Sequence, residues 1–284
     1  MKQNIKQIIN CGRCRDKKYV FINKDGKVQA ESCDCFQCKL CEGSRRIFDE
    51  TPEGLSKIKE CECGELFKRM ALFNQAGVPG KFVHESFSSY LVEPPQHRTQ
   101  KSALLNSKKF IKNYVDRKGQ YSQGLIYMGA PGLGKTHIVV SIIKELVMHY
   151  GVECKFVDFF ELLRDIRHGY GEDISEKDFI DPYVGVKVLV IDELAKGRNT
   201  DWEITILDHF ISTRYNDDDK VTLITTNFSD EIEKLATPSG RNEKQGLSNA
   251  YSRFTLEEKI GVRIYSRLME MCKKINIKGK DYRH

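Results

Sequence analysis

From residue 99 onward, short apolar runs alternate with stretches whose apolar residues recur at helical spacing. Leu125–Met128 and Val186–Ile191 are nearly continuous apolar or β-branched sequence, as expected for parallel strands covered on both faces. Cys154–Asp158 and Val221–Thr226 read as two further strands. His137–His149 carries the helical period, as does Glu203–Asn216, with Ile204, Leu207, Phe210 and Ile211 on one face. Phe159–His168 and Thr99–Asp116 read as two more helices. Strands separated by helices predict an α/β fold, a parallel sheet with right-handed crossovers flanked by helices. Upstream, Leu66–Ala76 predicts a helix stopped by Gly77 and Pro79, followed by Lys81–Tyr90 and a polar stretch with Pro94 and Pro95. Residues 1–63 hold too little apolar sequence for a core of their own. The expected organisation is a small module over 1–63, a helical linker over 64–98 and the α/β domain over 99–284.

Between the first strand of that domain and its helix, residues 129–136 read Gly-Ala-Pro-Gly-Leu-Gly-Lys-Thr. This is the phosphate-binding pattern G-x-x-x-x-G-K-[ST]. Gly129, Gly132 and Gly134 let the backbone turn tightly enough to aim successive N–H groups at a phosphate; Leu133 and His137 complete the loop and the first helical turn. Lys135 then meets the β/γ oxygens, and the Thr136 hydroxyl ligates Mg²⁺. A glycine-rich turn can match by chance. The frame of strand, loop and helix argues otherwise, because it sets the triphosphate at a helix N-terminus, where the dipole favours anions.

The strand Val186–Ile191 ends in Asp192-Glu193. Alone, such a pair is usually a polar loop. Downstream of a phosphate loop it predicts hydrolysis as well as binding, with Asp192 holding the metal and Glu193 orienting the attacking water. Val221–Thr226 ends at Asn227, whose amide reaches toward the γ-phosphate or the water; without that context it is more often a turn residue. Trp202 and the aromatics of its helix read as packing residues rather than base-stacking ones.

Eight of the ten cysteines lie in the first 63 residues and form an internal repeat. Cys11, Cys14, Cys33 and Cys35 are spaced C-x2-C-x18-C-x-C, and Cys38, Cys41, Cys61 and Cys63 are spaced C-x2-C-x19-C-x-C. Two close pairs of thiolates per unit match one tetrahedral Zn²⁺ each, two ions in all. Repetition favours tandem units over cross-braced ligation. Disulfides are disfavoured in a reducing compartment, and an iron–sulfur cluster is the other ligand chemistry four thiolates suit. Cys154, at the start of a strand, and Cys272, read as lying in a helix, are expected to be buried small hydrophobes.

A length of 284 residues permits one large core plus a small module. A formal charge of +6 permits nucleic-acid contact without requiring it. No apolar run is long enough to span a membrane, and the N-terminus lacks a signal peptide's apolar centre, so a cytoplasmic protein is expected.

The phosphate loop, Asp192-Glu193, Thr225-Thr226-Asn227, the linker Ala76-Gly-Val-Pro-Gly-Lys-Phe82 and the ending together resemble the DnaC/DnaI helicase-loader and IstB branch of AAA+ ATPases. The ending carries most of it: Gly261-Val-Arg-Ile-Tyr-Ser-Arg-Leu-Met-Glu-Met271, then Gly279-Lys-Asp-Tyr-Arg283. The resemblance covers roughly residues 65–284 and implies an ATP-hydrolysing AAA+ protein. It makes Lys135 and Thr136 the Walker A residues, Asp192 and Glu193 Walker B, and Asn227 sensor 1. Arg267 matches the arginine finger that reaches a neighbouring subunit's ATP, with Arg263 its nearest competitor. Arg283 matches a residue acting on nucleotide in cis, and Arg214 a family arginine without an assigned role.

A finger in trans implies ATP-dependent self-association. The implied function is loading of a replicative hexameric DNA helicase, with the ATPase gripping single-stranded DNA and the cysteine module docking on the helicase. The alternatives are an IstB-like regulator of transposition on duplex DNA and a non-enzymatic zinc adaptor, against which the intact Glu193 argues. Candidate DNA contacts are Lys196, Arg198, Arg164, Arg167 and His168, set against the commoner reading of a solvated charged face.

Overall fold

The computed structural model describes residues 11–50, 56–92, 97–120, 122–170, 175–230, 254–279 and 281. Two antiparallel hairpins come first. β1 (Tyr19–Lys24) and β2 (Lys27–Ser32) turn at Asp25-Gly26, whose φ values of 51° and 75° suit a two-residue hairpin loop. In β3 (Arg46–Glu50) and β4 (Ser56–Glu60), Phe48 faces Ile58 across the ladder. After α1 (Cys63–Gln75) and α2 (His97–Asp116), strands and helices alternate: β5 (Gly124–Met128), α3 (Lys135–Tyr150), β6 (Cys154–Asp158), α4 (Phe159–Gly169), α5 (Glu176–Val184), β7 (Val188–Leu194), α6 (Asp201–Tyr215) and β8 (Val221–Thr226). The described chain closes with α7 (Leu256–Ile260), α8 (Val262–Met271) and β9 (Cys272–Asn276).

The central sheet has the order β6-β7-β8-β5-β9 with every neighbouring pair parallel. Its strands are apolar on both faces because helices cover both. Leu125 and Tyr127 join the core under α1, α2 and α3, whereas Ile126 and Met128 join the core under α4, α6 and α8. Val188 and Val190 against Leu189 and Ile191 repeat that alternation.

The first hairpin is not a separate body. Tyr19, Val28 and Ala30 are buried in the same cluster as Phe73 of α1 and Val139, Ile143 and Leu146 of α3. The Phe21 and Phe73 ring centroids are 4.7 Å apart, and Val28 N–H donates to Val78 O at 2.8 Å. Ala76 O accepts from Phe156 N–H of β6 at 2.7 Å, which ties the end of α1 to the sheet. The second hairpin has no such seat: Phe48 and Ile58 are 70% and 55% exposed.

The structure differs from the pattern-based reading in places. Cys272 begins β9 rather than lying in a helix, although it is buried as expected. β9 reads Cys-Lys-Lys-Ile-Asn and is an edge strand whose lysines point outward, so it lacks the apolar run of a central strand. The third central strand starts two residues later than expected and runs through Asp192-Glu193 to Leu194. α5 contains Pro182 and a weak apolar period; a Ser175–Asp178 capping box starts it.

Arg214 is a buried clamp. Its guanidinium donates to Val184 O at 3.0 Å, Val186 O at 2.9 Å, Val221 O at 2.6 Å and Thr222 Oγ1 at 2.9 Å. One planar fork thus joins the C-terminal end of α5 to the starts of β7 and β8, a geometry a lysine cannot reproduce. Burial pushes its pKa down to about 10. Arg214→Met should cost on the order of 3–5 kcal/mol in denaturant unfolding, because several buried carbonyls lose their donor together. Arg214→Lys should recover only part.

Candidate nucleotide site and cysteine clusters

The carboxyl ends of β5, β7 and β8 bring the candidate residues together, as parallel sheets do for ligands. Gly134 caps α3 with φ 76°, and a Cβ there would come within 2.6 Å of the Tyr90 ring. Gly129 has φ 147°, and a Cβ there would meet Ile277 O at 2.2 Å. Tyr90 O–H donates to Leu133 O at 3.2 Å, and His137 Nε2 lies 2.7 Å from Ser86 O. The segment before α2 therefore braces the loop from outside, a role the sequence gave no sign of.

Lys135 Nζ donates to Gly129 O and Ala130 O, both at 2.7 Å, and to Asn227 Oδ1 at 2.8 Å. Thr136 Oγ1 donates to Asp192 Oδ1 at 2.9 Å, and Thr225 Oγ1 donates to the same oxygen at 2.6 Å. Five residues from three strand ends thus form two hydrogen-bonded sets, Lys135 with Asn227 and both Thr136 and Thr225 on Asp192. In the sequence Thr225 stood only within the Thr225-Thr226-Asn227 motif, without a role of its own. The hydroxyl of Thr136 and the carboxylate of Asp192 are hard oxygen donors side by side, which fits Mg²⁺.

The pairing of β7 with β8 slips between Ile191 and Leu194, and Glu193 takes φ 54°. A bulge of this kind re-aims a side chain at a strand end. Glu193 N–H donates to Thr225 Oγ1 at 3.0 Å, and the Glu193 carboxylate pairs with Lys196.

Burial raises the Asp192 carboxyl from its ordinary 3.8 to about 6, partly offset by its two hydroxyl donors. A carboxyl raised on folding gives the folded state more bound protons between those two values. Its cost to stability therefore grows as pH rises through that window and is complete above it. Asp192→Asn should stabilise the nucleotide-free protein by on the order of 2 kcal/mol at neutral pH. Calorimetry should show that gain shrinking as pH falls through 6 toward 4, the window set by the 3.8-to-6 shift.

Cys11, Cys14, Cys33 and Cys35 converge, as do Cys38, Cys41, Cys61 and Cys63; within each set all sulfurs lie within 4.8 Å of one another. The grouping is tandem, each set being drawn from one repeat unit. Cys11–Cys33 and Cys14–Cys35 sulfurs are 3.8 and 3.4 Å apart, and Cys38–Cys61 and Cys41–Cys63 are 3.6 and 3.4 Å apart. Four thiolates about 2.3 Å from a tetrahedral ion have sulfur–sulfur edges of roughly 3.8 Å, so each cluster could hold one Zn²⁺. Backbone N–H groups pull Cys38 down to about 6 and Cys11 down to about 7, whereas neighbouring thiols push Cys35 up and burial pushes Cys63 up.

Other candidates lie elsewhere. Arg267 and Arg263 sit on α8 against Asp208 of α6, at 2.9 and 3.6 Å. Arg167 pairs with Glu203 at 2.8 Å and lies 4.7 Å from the Trp202 ring centroid; Arg164 is beside Asp165 at 3.6 Å. The Trp202 indole donates to Tyr170 Oη at 2.9 Å and Glu176 Oε1 at 3.0 Å, which makes it a packing residue. Arg283 lies outside the described residues. Among those residues no helix is long and apolar enough to cross a membrane.

Residues 99–234 match the family of IstB-like ATP-binding proteins. An IstB/DnaC-like ATP-binding domain thus spans those residues. Among its relatives, YqaM of Bacillus subtilis (strain 168) is 26% identical over 162 residues, 55% of this chain and 50% of YqaM. The replicative helicase loader DnaC of Escherichia coli (strain K12) is 22% identical over 169 residues, 59% of this chain and 66% of DnaC. The matched stretch thus spans half of one relative and under two thirds of the other. A crystal structure of the DnaC helicase loader superimposes at a TM-score of 0.54 with 27% identity, over 70% of this chain and 99% of that one. The matched domain has the AAA+ P-loop fold, preceded by two four-cysteine clusters that fit a small zinc module.

Proposed function

We propose that this protein is an ATPase that loads a replicative hexameric DNA helicase onto single-stranded DNA. The observation that carries the catalytic half is the bond from Lys135 to Asn227 and the convergence of Thr136 and Thr225 on Asp192, beside the re-aimed Glu193. On ATP binding, Lys135 leaves the loop carbonyls for the β/γ oxygens, and Gly129, Gly132, Leu133, Gly134 and His137 line the phosphate path. Thr136 and Asp192 would hold Mg²⁺, which would supply charge neutralisation for the phosphates. Glu193 takes the proton of the attacking water, and Asn227 orients that water. Arg267 completes the charge balance at a neighbour's site, so hydrolysis depends on ATP-driven self-association; Arg283 contributes in cis.

In this reading residues 1–63 form the helicase-docking module, 64–98 the linker and 99–284 the ATPase. The likeness to replicative helicase loaders and the matching fold support it. The test is to purify the full chain with its tightly bound partners and measure its DNA preference with ATP. A hexameric helicase in the complex and tighter binding to single strands are expected; a transposase and preference for duplex DNA would replace the loader with an IstB-like transposition regulator.

A further inference from the structure

α6 and α8 meet along one face. Asp208, Ser212 and Tyr215 of α6 recur at helical spacing, and Arg263, Arg267 and Glu270 of α8 recur in the same way. Arg267 Nη1 donates to Asp208 Oδ1 at 2.9 Å and to Ser212 Oγ, while Ser212 Oγ donates to Asp208 Oδ1 at 3.2 Å. Asp208 Oδ2 lies 3.6 Å from Arg263 Nη2. Tyr215 O–H donates to Glu270 Oε2 at 2.8 Å, and its ring centroid lies 5.6 Å from the Arg267 guanidinium carbon. One carboxylate therefore holds two guanidiniums and leaves the trio with one net positive charge.

The two arginines are held differently. The Arg267 side chain is 25% exposed and fixed by three groups of α6, whereas that of Arg263 is 72% exposed and lies 3.6 Å from Asp208. Neither helix is free to yield. Leu207, Phe210 and Ile211 seat α6 in the core, and Ile264 and Leu268 seat α8. α6 is also the helix that follows the Asp192-Glu193 strand end, and its first turn is pinned by the Thr200–Glu203 capping box and the Arg167–Glu203 pair.

We infer that Asp208 is the positioning residue for the trans-acting arginines: its carboxylate sets the direction of Arg267 and Arg263 toward a neighbouring subunit and links them to the strand that carries Glu193. This rests on the reading of Arg267 as a finger in trans. Such a residue touches neither ATP nor water, so its loss should leave nucleotide affinity alone and impair only the neighbour's hydrolysis. Misplacing a charged group by about 1 Å can cost on the order of 100-fold in rate.

The experiment uses the full chain with ATP and single-stranded DNA and compares Asp208→Asn, Arg267→Ala and Ser212→Ala. Nucleotide affinity, steady-state turnover and melting temperature are measured for each, alone and mixed with Glu193→Gln subunits. The Glu193→Gln subunit cannot hydrolyse its own ATP but still offers intact arginines. Asp208→Asn should bind ATP within about twofold of the unaltered protein, lose turnover roughly 100-fold, and regain it on mixing. Ser212→Ala should show the same pattern weakly, and it serves as the second variant if Asp208→Asn does not fold. If Arg267→Ala loses turnover and is rescued while Asp208→Asn or Ser212→Ala turns over normally, Asp208 is not the positioning residue and the finger stands. Failure of mixing to rescue Arg267→Ala overturns the trans reading, and the role of Asp208 with it.

Discussion

Loss of the first cysteine cluster should lower the melting temperature by roughly 10 °C or more, while loss of the second should change it by only a few degrees. The sequence repeat makes the two clusters look equivalent, but their settings differ. β1 and β2 bury Tyr19, Val28 and Ala30 against Phe73 and α3, so melting the first unit strips apolar cover from the ATP-binding domain. The same hairpin supports Lys144, whose ammonium lies 4.6 Å from the Phe21 ring centroid and donates to Phe82 O, Val83 O and Glu85 O at 2.8, 2.9 and 2.8 Å. Burial pulls that lysine down to about 8, while three carbonyl acceptors and a ring face favour the charged form. Those carbonyls lead directly to Ser86 and Tyr90, which brace His137 and Leu133 of the phosphate loop. The second hairpin has no comparable seat, since Phe48 and Ile58 face outward. Paired variants, Cys14→Ser with Cys33→Ser against Cys41→Ser with Cys61→Ser, would be compared by metal content, calorimetry and ATP affinity. Each should lose one ion. Equal melting shifts, or a larger shift for the second pair, would show that the first hairpin is not held by its metal.

The other large effect concerns chemistry without stability. Glu193→Gln should bind ATP as tightly as the unaltered protein and turn it over about 100- to 10,000-fold more slowly, the span a positioned general base contributes. The amide keeps the length of the side chain but not its ability to take a proton. Its backbone is held by Thr225 Oγ1 and by the slipped register of β7 on β8, neither of which the substitution touches. Lys135→Ala should behave oppositely and lose ATP binding itself, because no other described cation lies among Gly129 O, Ala130 O and Asn227 Oδ1. Equilibrium binding of a fluorescent ATP analogue and phosphate release separate the two. Undiminished phosphate release from Glu193→Gln would remove Glu193 from the base role.

The phosphate loop was legible because its signal is local. Gly129 through Thr136 must lie between a strand and a helix, and both neighbours are encoded within a few residues by apolar runs. Val221–Thr226 emerged with the bounds its pattern predicts, since a central strand buried on both faces reads as a run of β-branched and apolar residues. β9 did not, because an edge strand is open along one side, and Lys273 and Lys274 are exposed between the buried Cys272 and Ile275. α5 did not either: its proline and acidic residues mask a helix that the Ser175 cap and the Arg214 fork hold in place.

Backbone propensity, residue spacing and the chemistry of thiolates, glycines and carboxylates act over short stretches of chain. The sequence by itself therefore determined the alternating α/β order, the phosphate loop, the Asp192-Glu193 strand end and two sets of four cysteines. Burial and partnership depend on which distant segments meet. Only the tertiary structure decided that the first cysteine unit is packed into the ATP-binding core and the second is not. It also decided that Thr225 completes the Asp192 cluster, that Arg214 clamps three elements through their carbonyls, and that one carboxylate on α6 holds both arginines of α8.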